Sequence, residues 1–244
     1  MGCYMGDMAI SVPDESQQKA ARVVGFCYLV ALLFANFAEF YVPAQIVVYN
    51  DAATTARNVT AHELLFRLGI AGNLIVFALD VVLIIALYVI LKPVNRNLAL
   101  IAACWRLIET ATMVVVALSD FDVLRLLSGA EYLRVFEADR LQALARFSIG
   151  AHGAAYSIGL LFFGLGSTLF GYLWIKSNYI PKALAAWGVL SSVLVLITAF
   201  ALVVFPEIAK RVIPGCYVPI FVFELIMGFW LLFKGLRPAI MAAD

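Results

Sequence analysis

The stretch LGIAGNLIVFALDVVLIIALYVIL, residues 68–91, decides the fold class, because it is long and apolar and carries a single charged side chain, Asp80. An α-helix rises 1.5 Å per residue, so about 20 apolar residues cross the roughly 30 Å hydrocarbon core of a bilayer. A charged side chain at the centre of such a helix costs about 2.5–3.5 kcal/mol. The stretch therefore predicts a transmembrane helix in which Asp80 faces protein or water.

The rest of the chain has the same character. Of its 244 residues, 64% are hydrophobic and 14% are charged, whereas a soluble domain is about half apolar and about one-quarter charged. We predict an all-α fold, a polytopic integral membrane helical bundle of about six transmembrane helices. This domain would occupy residues 21–237, between tails at 1–20 and 238–244. Six apolar stretches are long enough to be its spans: 22–44, 62–92, 95–118, 145–175, 181–205 and 215–236.

Local signals mark two helix starts. Thr60 and Glu63 have capping-box spacing before the second span, and Ser128 and Glu131 have the same spacing before residues 131–144. This last segment reads either as an outer-side amphipathic helix on the membrane surface or as a solvated loop helix. Its apolar side chains fall roughly on one side: Leu133, Phe136, Leu141 and Leu144.

The charges at the helix ends predict the orientation. Six spans put both termini on one side of the membrane. On that side the short turns 91–98 and 175–183 contain lysine or arginine and no acidic residue, whereas the longer loops opposite carry both signs. Short loops rich in lysine and arginine stay in the cytoplasm. We therefore predict a multi-pass protein of the cell inner (plasma) membrane with both termini cytoplasmic.

Four ionisable side chains share one layer near the midplane. Counting the helical rise from the predicted cytoplasmic ends places all of them roughly 15–20 Å deep: Asp80, Arg106, Glu109 and Glu224. Three carboxyl groups then face one guanidinium, so at least one carboxyl should be protonated or a cation should be bound. Two interpretations stay open: ion pairs that lock the bundle, or a polar site that opens outward.

A second polar layer lies nearer the outer face. It contains Asn36, Glu39, Asn73, His152 and Tyr156. His152 and Tyr156 are four residues apart and therefore share one helix face.

We assign candidate roles to both layers. The candidate catalytic residues are Glu109, Glu224, Asp80 and His152. The candidate ligand-binding residues are Arg106, Asn73, Tyr156 and Glu39.

Several cofactors are excluded by the residue types within the spans. Lysines within the span ranges are confined to the ends, at Lys92, Lys182 and Lys234, which argues against a retinal Schiff base. His152 is the single histidine in the interior of a span, and the other histidine, His62, is at a helix start. Paired histidines for a haem or a three-histidine zinc site are therefore not available. We expect no cofactor, although a metal ion held by His152 and carboxylates stays open.

Five stretches carry a family resemblance. They are HELLFRLGI (62–70), ILKPVNRNLAL (90–100), CWRLIE (104–109), AHGAAYSIGLLFFGL (151–165) and FELIMGFWLLFKG (223–235). Over about residues 20–237 the chain resembles an uncharacterised bacterial membrane family, domain of unknown function 4386. The resemblance implies a small multi-pass membrane protein with no established activity, and it carries over no catalytic residue.

Three functions stay open. The first is an intramembrane acid–base enzyme, of isomerase or cyclase type, that acts on a lipid-like small molecule with Glu109 and Glu224 as acid and base. The second is a protein that binds or transports a small or amphipathic molecule. The third is a structural or accessory subunit whose polar residues only pair helices. The expected partners are membrane lipids and a hydrophobic small molecule; a net charge of +1 gives no basic field for nucleic acid.

Overall fold

The computed structural model describes residues 13–205 and 215–238, and every regular element within these ranges is helical. Five segments are long and apolar enough to cross a membrane. A sixth apolar helix has 16 residues and rises about 24 Å. The described chain is therefore a helical membrane bundle, as the apolar stretches predict. The predicted loop at 206–214 lies outside the described residues.

The helices follow one another in this order: α1 (Glu15–Asn36), α2 (Val42–Ile46), α3 (Ala52–Ala61), α4 (Glu63–Leu91), α5 (Arg96–Leu126), α6 (Ala138–Ser177), α7 (Lys182–Val204) and α8 (Val218–Phe233). A π-helical turn, Phe37–Tyr41, joins α1 to α2, and α1, this turn and α2 together form the first long segment. A 3-10 turn, Glu131–Leu133, lies between α5 and α6.

The two ends of the bundle differ. We call the end with the tight turns 92–95 and 178–181 the turn end, and the end with segments 47–51 and 127–137 the loop end. The side-chain amide of Gln17 donates to the carbonyl of Ile90 (2.9 Å), and that of Gln18 donates to the carbonyl of Leu236 (3.0 Å). The start of α1 and the end of α8 therefore both lie at the turn end.

Pro43 accounts for the π-helical turn in the first membrane segment. A proline inside a helix lacks an N–H, and its ring clashes with the carbonyl four residues earlier, which here belongs to Glu39. The N–H of Val42 donates to the carbonyl of Phe37, five residues back. This wider turn adds one residue at the place where Pro43 prevents the regular hydrogen bond to the carbonyl of Glu39. The predicted span 22–44 thus contains an irregular turn, and that turn carries Glu39.

Two helix starts at the turn end depend on side-chain caps. The N–H of Gln17 donates to Asp14 Oδ1 (2.7 Å), while the N–H of Asp14 donates to Gln17 Oε1 (2.9 Å). This capping box starts α1 seven residues before the predicted position. Asn95 Oδ1 accepts from the N–H of Leu98 (3.0 Å) and starts α5 directly after the predicted turn at Pro93.

Both predicted capping boxes are wrong. Thr60 lies inside α3, where its hydroxyl donates to the carbonyl of Ala56 (3.0 Å). The hydroxyl of Ser128 donates to the carbonyl of Arg125 (2.7 Å), so it closes the end of α5 rather than opening a new helix. Because α5 continues to Leu126 instead of ending at 118, Asp120 belongs to the bundle and not to a loop.

The segment 131–144 does not form a separate amphipathic helix. After the 3-10 turn, α6 begins at Ala138 and continues without a break to Ser177. No proline or glycine separates residues 138–144 from the apolar stretch that follows, so both form one helix. The short helix that buries a single face at the loop end is α3, through Thr55, Ala56 and Val59.

Helices α1 and α8 cross closely at Gly25. A Cβ atom at this position would lie 2.5 Å from the backbone nitrogen of Leu232 and 2.7 Å from the carbonyl oxygen of Gly228. Backbone atoms cannot turn aside as a flexible side chain can, so only glycine permits this approach. This close crossing positions α8, and with it Glu224, against α1.

We expect Gly25→Ala to push α8 away from α1 and to destabilise the protein by about 1–3 kcal/mol, the usual cost of overpacking. Gly150→Ala is the matched control, since nothing lies within 4 Å of the added methyl group. Thermal unfolding of both variants in detergent, followed by tryptophan fluorescence, measures the effect. Equal unfolding temperatures for the two variants would contradict the close crossing.

Candidate functional site

Arg106 is buried where α4, α5 and α6 meet. Its Nη1 lies 3.0 Å from Glu109 Oε2 on the same helix, and its Nη2 lies 3.5 Å from Asp80 Oδ1 on α4. On the α6 side the guanidinium covers the ring of Phe163, with its Cζ 4.4 Å from the ring centroid. Arg106 therefore contacts two of the three midplane carboxyl groups directly. We call Arg106, Asp80 and Glu109 the arginine cluster.

The contact between Arg106 and Glu109 is an ion pair without an aligned hydrogen bond. Both contacting atoms are buried, and neither has an aligned hydrogen-bond partner among residues 13–205 and 215–238. Coulomb attraction depends on distance and local polarity rather than on alignment. The pair therefore compensates the buried charge while leaving hydrogen-bonding capacity on both groups.

Helix α6 gives the arginine cluster space. A Cβ atom at Gly166 would lie 2.7 Å from Cγ of Arg106 and 2.9 Å from the carbonyl oxygen of Ala102. The aliphatic part of Arg106 therefore passes between α5 and α6 only because residue 166 has no side chain. Gly166 thus serves close packing of α6 on α5.

Glu224 lies beside the arginine cluster without joining it. It makes no ion pair with any residue in the described ranges. Glu224 and Arg106 line a cavity of about 10 Å³ whose walls are otherwise mostly aromatic and aliphatic. Such a cavity holds about one water molecule. It is too small to be the outward-opening site for a lipid-like molecule that the sequence predicts in this layer.

A second cluster surrounds His152. Its Nδ1 lies 2.9 Å from Asp120 Oδ1, and its Nε2 lies 3.2 Å from Glu39 Oε2. The other carboxylate oxygen of Glu39 accepts a hydrogen bond from Nδ2 of Asn73 (2.7 Å). Tyr156 stacks on the imidazole with 6.4 Å between ring centroids. This histidine cluster ties the π-helical turn, α4, α5 and α6 together.

The histidine cluster is suited to hold a proton. Carboxylate oxygens only accept hydrogen bonds, and a neutral imidazole has one N–H, so only the imidazolium can donate to both Asp120 and Glu39. The side chains of His152, Glu39 and Asp120 are 18%, 12% and 9% exposed. Because the carboxylates contact different ring nitrogens, they do not converge with His152 on one metal position. The geometry therefore fits a shared proton better than the metal ion that the sequence left open.

The two clusters lie in separate layers, in the expected order. Asp120 is about 21 Å along α5 from Arg106, and His152 is about 37 Å along α6 from Ser177 at the turn end. The second distance exceeds the roughly 30 Å thickness of the hydrocarbon core. The arginine cluster is therefore deep in the bundle, whereas the histidine cluster lies near the membrane boundary at the loop end.

Sequence reasoning identified most members of both clusters and missed Asp120. It placed Asp80, Arg106 and Glu109 together, and the structure brings them into contact. It also grouped Asn36 with Glu39, Asn73, His152 and Tyr156. The last four meet at the histidine cluster, whereas the side-chain amide of Asn36 donates to the carbonyl of Leu32 (2.7 Å). Asp120 lies beyond the end of the predicted span 95–118, although the apolar pattern continues past it through Phe121, Val123 and Leu124. The catalytic and ligand-binding roles of all these residues stay predictions.

We expect Arg106→Ala to destabilise the protein by about 3–5 kcal/mol, because removing one partner leaves the other buried charges uncompensated. The control is Arg125→Ala, whose ion pair with Asp122 is solvent-exposed and therefore worth at most about 1 kcal/mol. Thermal unfolding in detergent compares the variants with the parent. If both variants unfold at the same temperature, the arginine cluster does not hold the bundle together.

Comparison with known proteins gives a family but no activity. The family model described as Domain of unknown function (DUF4386) matches residues 23–235. An uncharacterized protein of Archaeoglobus fulgidus is 29% identical over 169 residues, which cover 68% of this chain and 83% of that protein. This relative is archaeal, and the bacterial origin implied by the resemblance stays a prediction. No solved structure matches the chain. Since the family model covers nearly all of it, the chain belongs to the DUF4386 family.

Proposed function

We propose that this protein is a proton-linked membrane protein of the binding or transport class, which takes up and releases a proton at His152 from the aqueous phase at the loop end. The observation that carries the proposal is the imidazole placed between the carboxylates of Asp120 and Glu39. These partners belong to different helical elements, so the proton is shared across the bundle rather than held within one helix.

The charge of His152 controls how the helices around it are held. With the proton bound, α6 donates to α5 and to the π-helical turn at once. Without it, one of the two carboxylates has no donor from His152, and an unpaired buried charge favours water entry or separation of the helices. Glu39 lies on the turn that Pro43 already deprives of a regular helical bond. We therefore expect this turn to move when the proton leaves.

We assign a structural role to the arginine cluster. Arginine keeps its charge at every pH that a folded protein tolerates, so this cluster does not switch as the histidine cluster does. An acid–base enzyme using Glu109 and Glu224 is the weaker candidate. The cavity of about 10 Å³ beside Glu224 is far below the size of a lipid-like substrate.

For orientation, we propose that the turn end is cytoplasmic and that the protein lies in the cell inner (plasma) membrane with both termini inside. Support comes from the charges at the two ends. The turns 92–95 and 178–181 are flanked by basic side chains alone, whereas Asp51, Asp122 and Glu137 are at the loop end. The expected uptake of protons at His152 would then occur from the outside.

We expect Lys176→Cys, at the turn end, to resist a membrane-impermeant maleimide added to intact cells and to react after permeabilisation. Tyr49→Cys, at the loop end and 82% exposed, should react in intact cells. The parent protein controls for its natural cysteines. Labelling of Lys176→Cys from outside would overturn the proposed orientation.

We expect His152→Gln to lower stability by about 1.5–3 kcal/mol at acidic pH, the size of hydrogen bonds to charged groups. The imidazolium donates to both carboxylates, whereas the neutral ring can donate to only one. The contribution of His152 to stability is therefore largest at acidic pH and is lost as the ring deprotonates. The stability gap between parent and variant should therefore narrow as pH rises. Thermal unfolding across a pH series measures it.

The other histidine of the chain provides the control. His62 is exposed, and within the described residues its side chain makes one hydrogen bond, to the carbonyl of Asn58 (3.1 Å). His62→Gln should therefore change stability by less than about 0.5 kcal/mol at each pH. A gap between the parent and His152→Gln that stays constant with pH would contradict proton linkage at His152.

A further inference from the structure

The loop ends of α5 and α6 extend past the membrane. The 40 residues of α6 rise about 60 Å, and even at a tilt of about 40° the helix would cover about 46 Å of depth. The hydrocarbon core is only about 30 Å thick. Because α6 ends in a tight turn at the turn end, its excess length lies at the loop end. The first turns of α6 therefore stand in the headgroup region or in water, beside the end of α5 and α3.

A groove with a volume of about 470 Å³ lies among these three elements. Sites for small molecules are typically about 300–1,000 Å³ and are mostly apolar, with a few polar groups. Three side chains bring polar atoms to the groove: Arg57, Thr60 and Gln142. The aliphatic side chains that line it are Ala56, Ala61, Leu126, Leu127, Ala138 and Leu141. The groove thus has the size and lining of a small-molecule site.

Arg57 gives the groove a positive charge. Its Nη2 donates to Oγ1 of Thr54 (2.8 Å), and no carboxylate of the described chain lies within ion-pair distance of it. The nearby Asp51 accepts from the hydroxyl (2.6 Å) and the N–H (2.8 Å) of Thr54, and these bonds lower the pKa of its carboxyl. Asp51 is thus hydrogen-bonded by Thr54, and the charge of Arg57 also acts on it. Four of the five N–H donors of Arg57 have no hydrogen-bond partner among the described residues.

We propose that this groove binds an amphipathic organic anion, with the carboxylate of the ligand on Arg57 and its hydrocarbon part against Leu126, Leu127 and Leu141. A guanidinium presents a planar fork that matches a carboxylate with two hydrogen bonds. The apolar lining rewards the burial of a hydrocarbon chain. The amide of Gln142 has no hydrogen-bond partner in the described chain, so it can bond a second polar atom of the ligand.

The ligand reaches the groove from water rather than from the bilayer. The end of α5 at Leu126 is about 45 Å along the helix from Arg96 at the turn end, beyond the roughly 30 Å that lipid chains occupy. A lipid anchored in the membrane would have to leave its hydrocarbon layer to fill the groove. A free anion with a short hydrocarbon chain meets no such cost.

The test uses decanoate as the probe and the full chain in nanodiscs of zwitterionic lipid. Isothermal titration calorimetry should show saturable binding of decanoate after subtraction of the heat from empty nanodiscs. Decanol, which lacks the charge, should bind at least tenfold more weakly, since it leaves Arg57 without an anion. Parent nanodiscs that respond to decanoate like empty ones would overturn the proposal.

Two variants in the groove and one control outside it locate the site. Arg57→Gln should weaken decanoate binding at least tenfold. The control is Arg125→Gln, whose arginine pairs with Asp122 outside the groove, and it should bind like the parent. Leu141→Trp should also abolish binding by filling the groove. Each variant is first checked for a parent-like unfolding temperature.

Unchanged binding by Arg57→Gln would refute the role of the guanidinium. Unchanged binding by Leu141→Trp would show that the anion binds elsewhere. Should Leu141→Trp fail to fold, Gln142→Trp, on the same wall, serves in its place.

Discussion

A guanidinium deep in a bilayer cannot shed its charge, and the bundle is organised around that constraint. Arg106 must be met by anions or water, because isolated charges at this depth cost several kcal/mol. Glu109 meets it from the next turn of α5, and Asp80 meets it from α4. Phe163 covers the guanidinium, and Gly166 leaves room for its aliphatic part. Three helices thus take their relative positions from one side chain.

The histidine cluster also pairs a basic side chain with carboxylates, but here the basic group can lose its charge. Asp120 and Glu39 are acidic side chains in a mostly buried site, and the imidazole of His152 lies within hydrogen-bond distance of both. Arg106 stays charged at every pH that a folded protein tolerates, whereas the contacts of His152 with the two carboxyl groups depend on whether its ring is protonated. Its place near the loop end gives the proton a short route from water, and Glu39 lies on the irregular turn before Pro43. In the proposed function, the arginine cluster therefore holds the bundle together and the histidine cluster responds to pH.

The sequence predicts much of this arrangement, for physical reasons. Apolar length predicts the spans, and the helical rise places Arg106 with Asp80 and His152 with Glu39. Prediction fails where two patterns overlap. Residues 131–144 look amphipathic, yet nothing breaks the helix before the next span, so 138–144 join α6. Asp120 looks like a loop residue until its contact with His152 is seen. The groove near Arg57 arises from segments distant in sequence, and no local pattern indicates it.

The most direct test of the account is the protonation state of His152, read by NMR from histidine side chains labelled with ¹⁵N in nanodiscs at pH 7. The chain has two histidines, so His62→Gln assigns the signals and the exposed His62 provides an internal reference. The account predicts that both ring nitrogens of His152 carry a proton. A bare ring nitrogen on His152 at this pH would contradict the shared-proton site, and with it the proposed function.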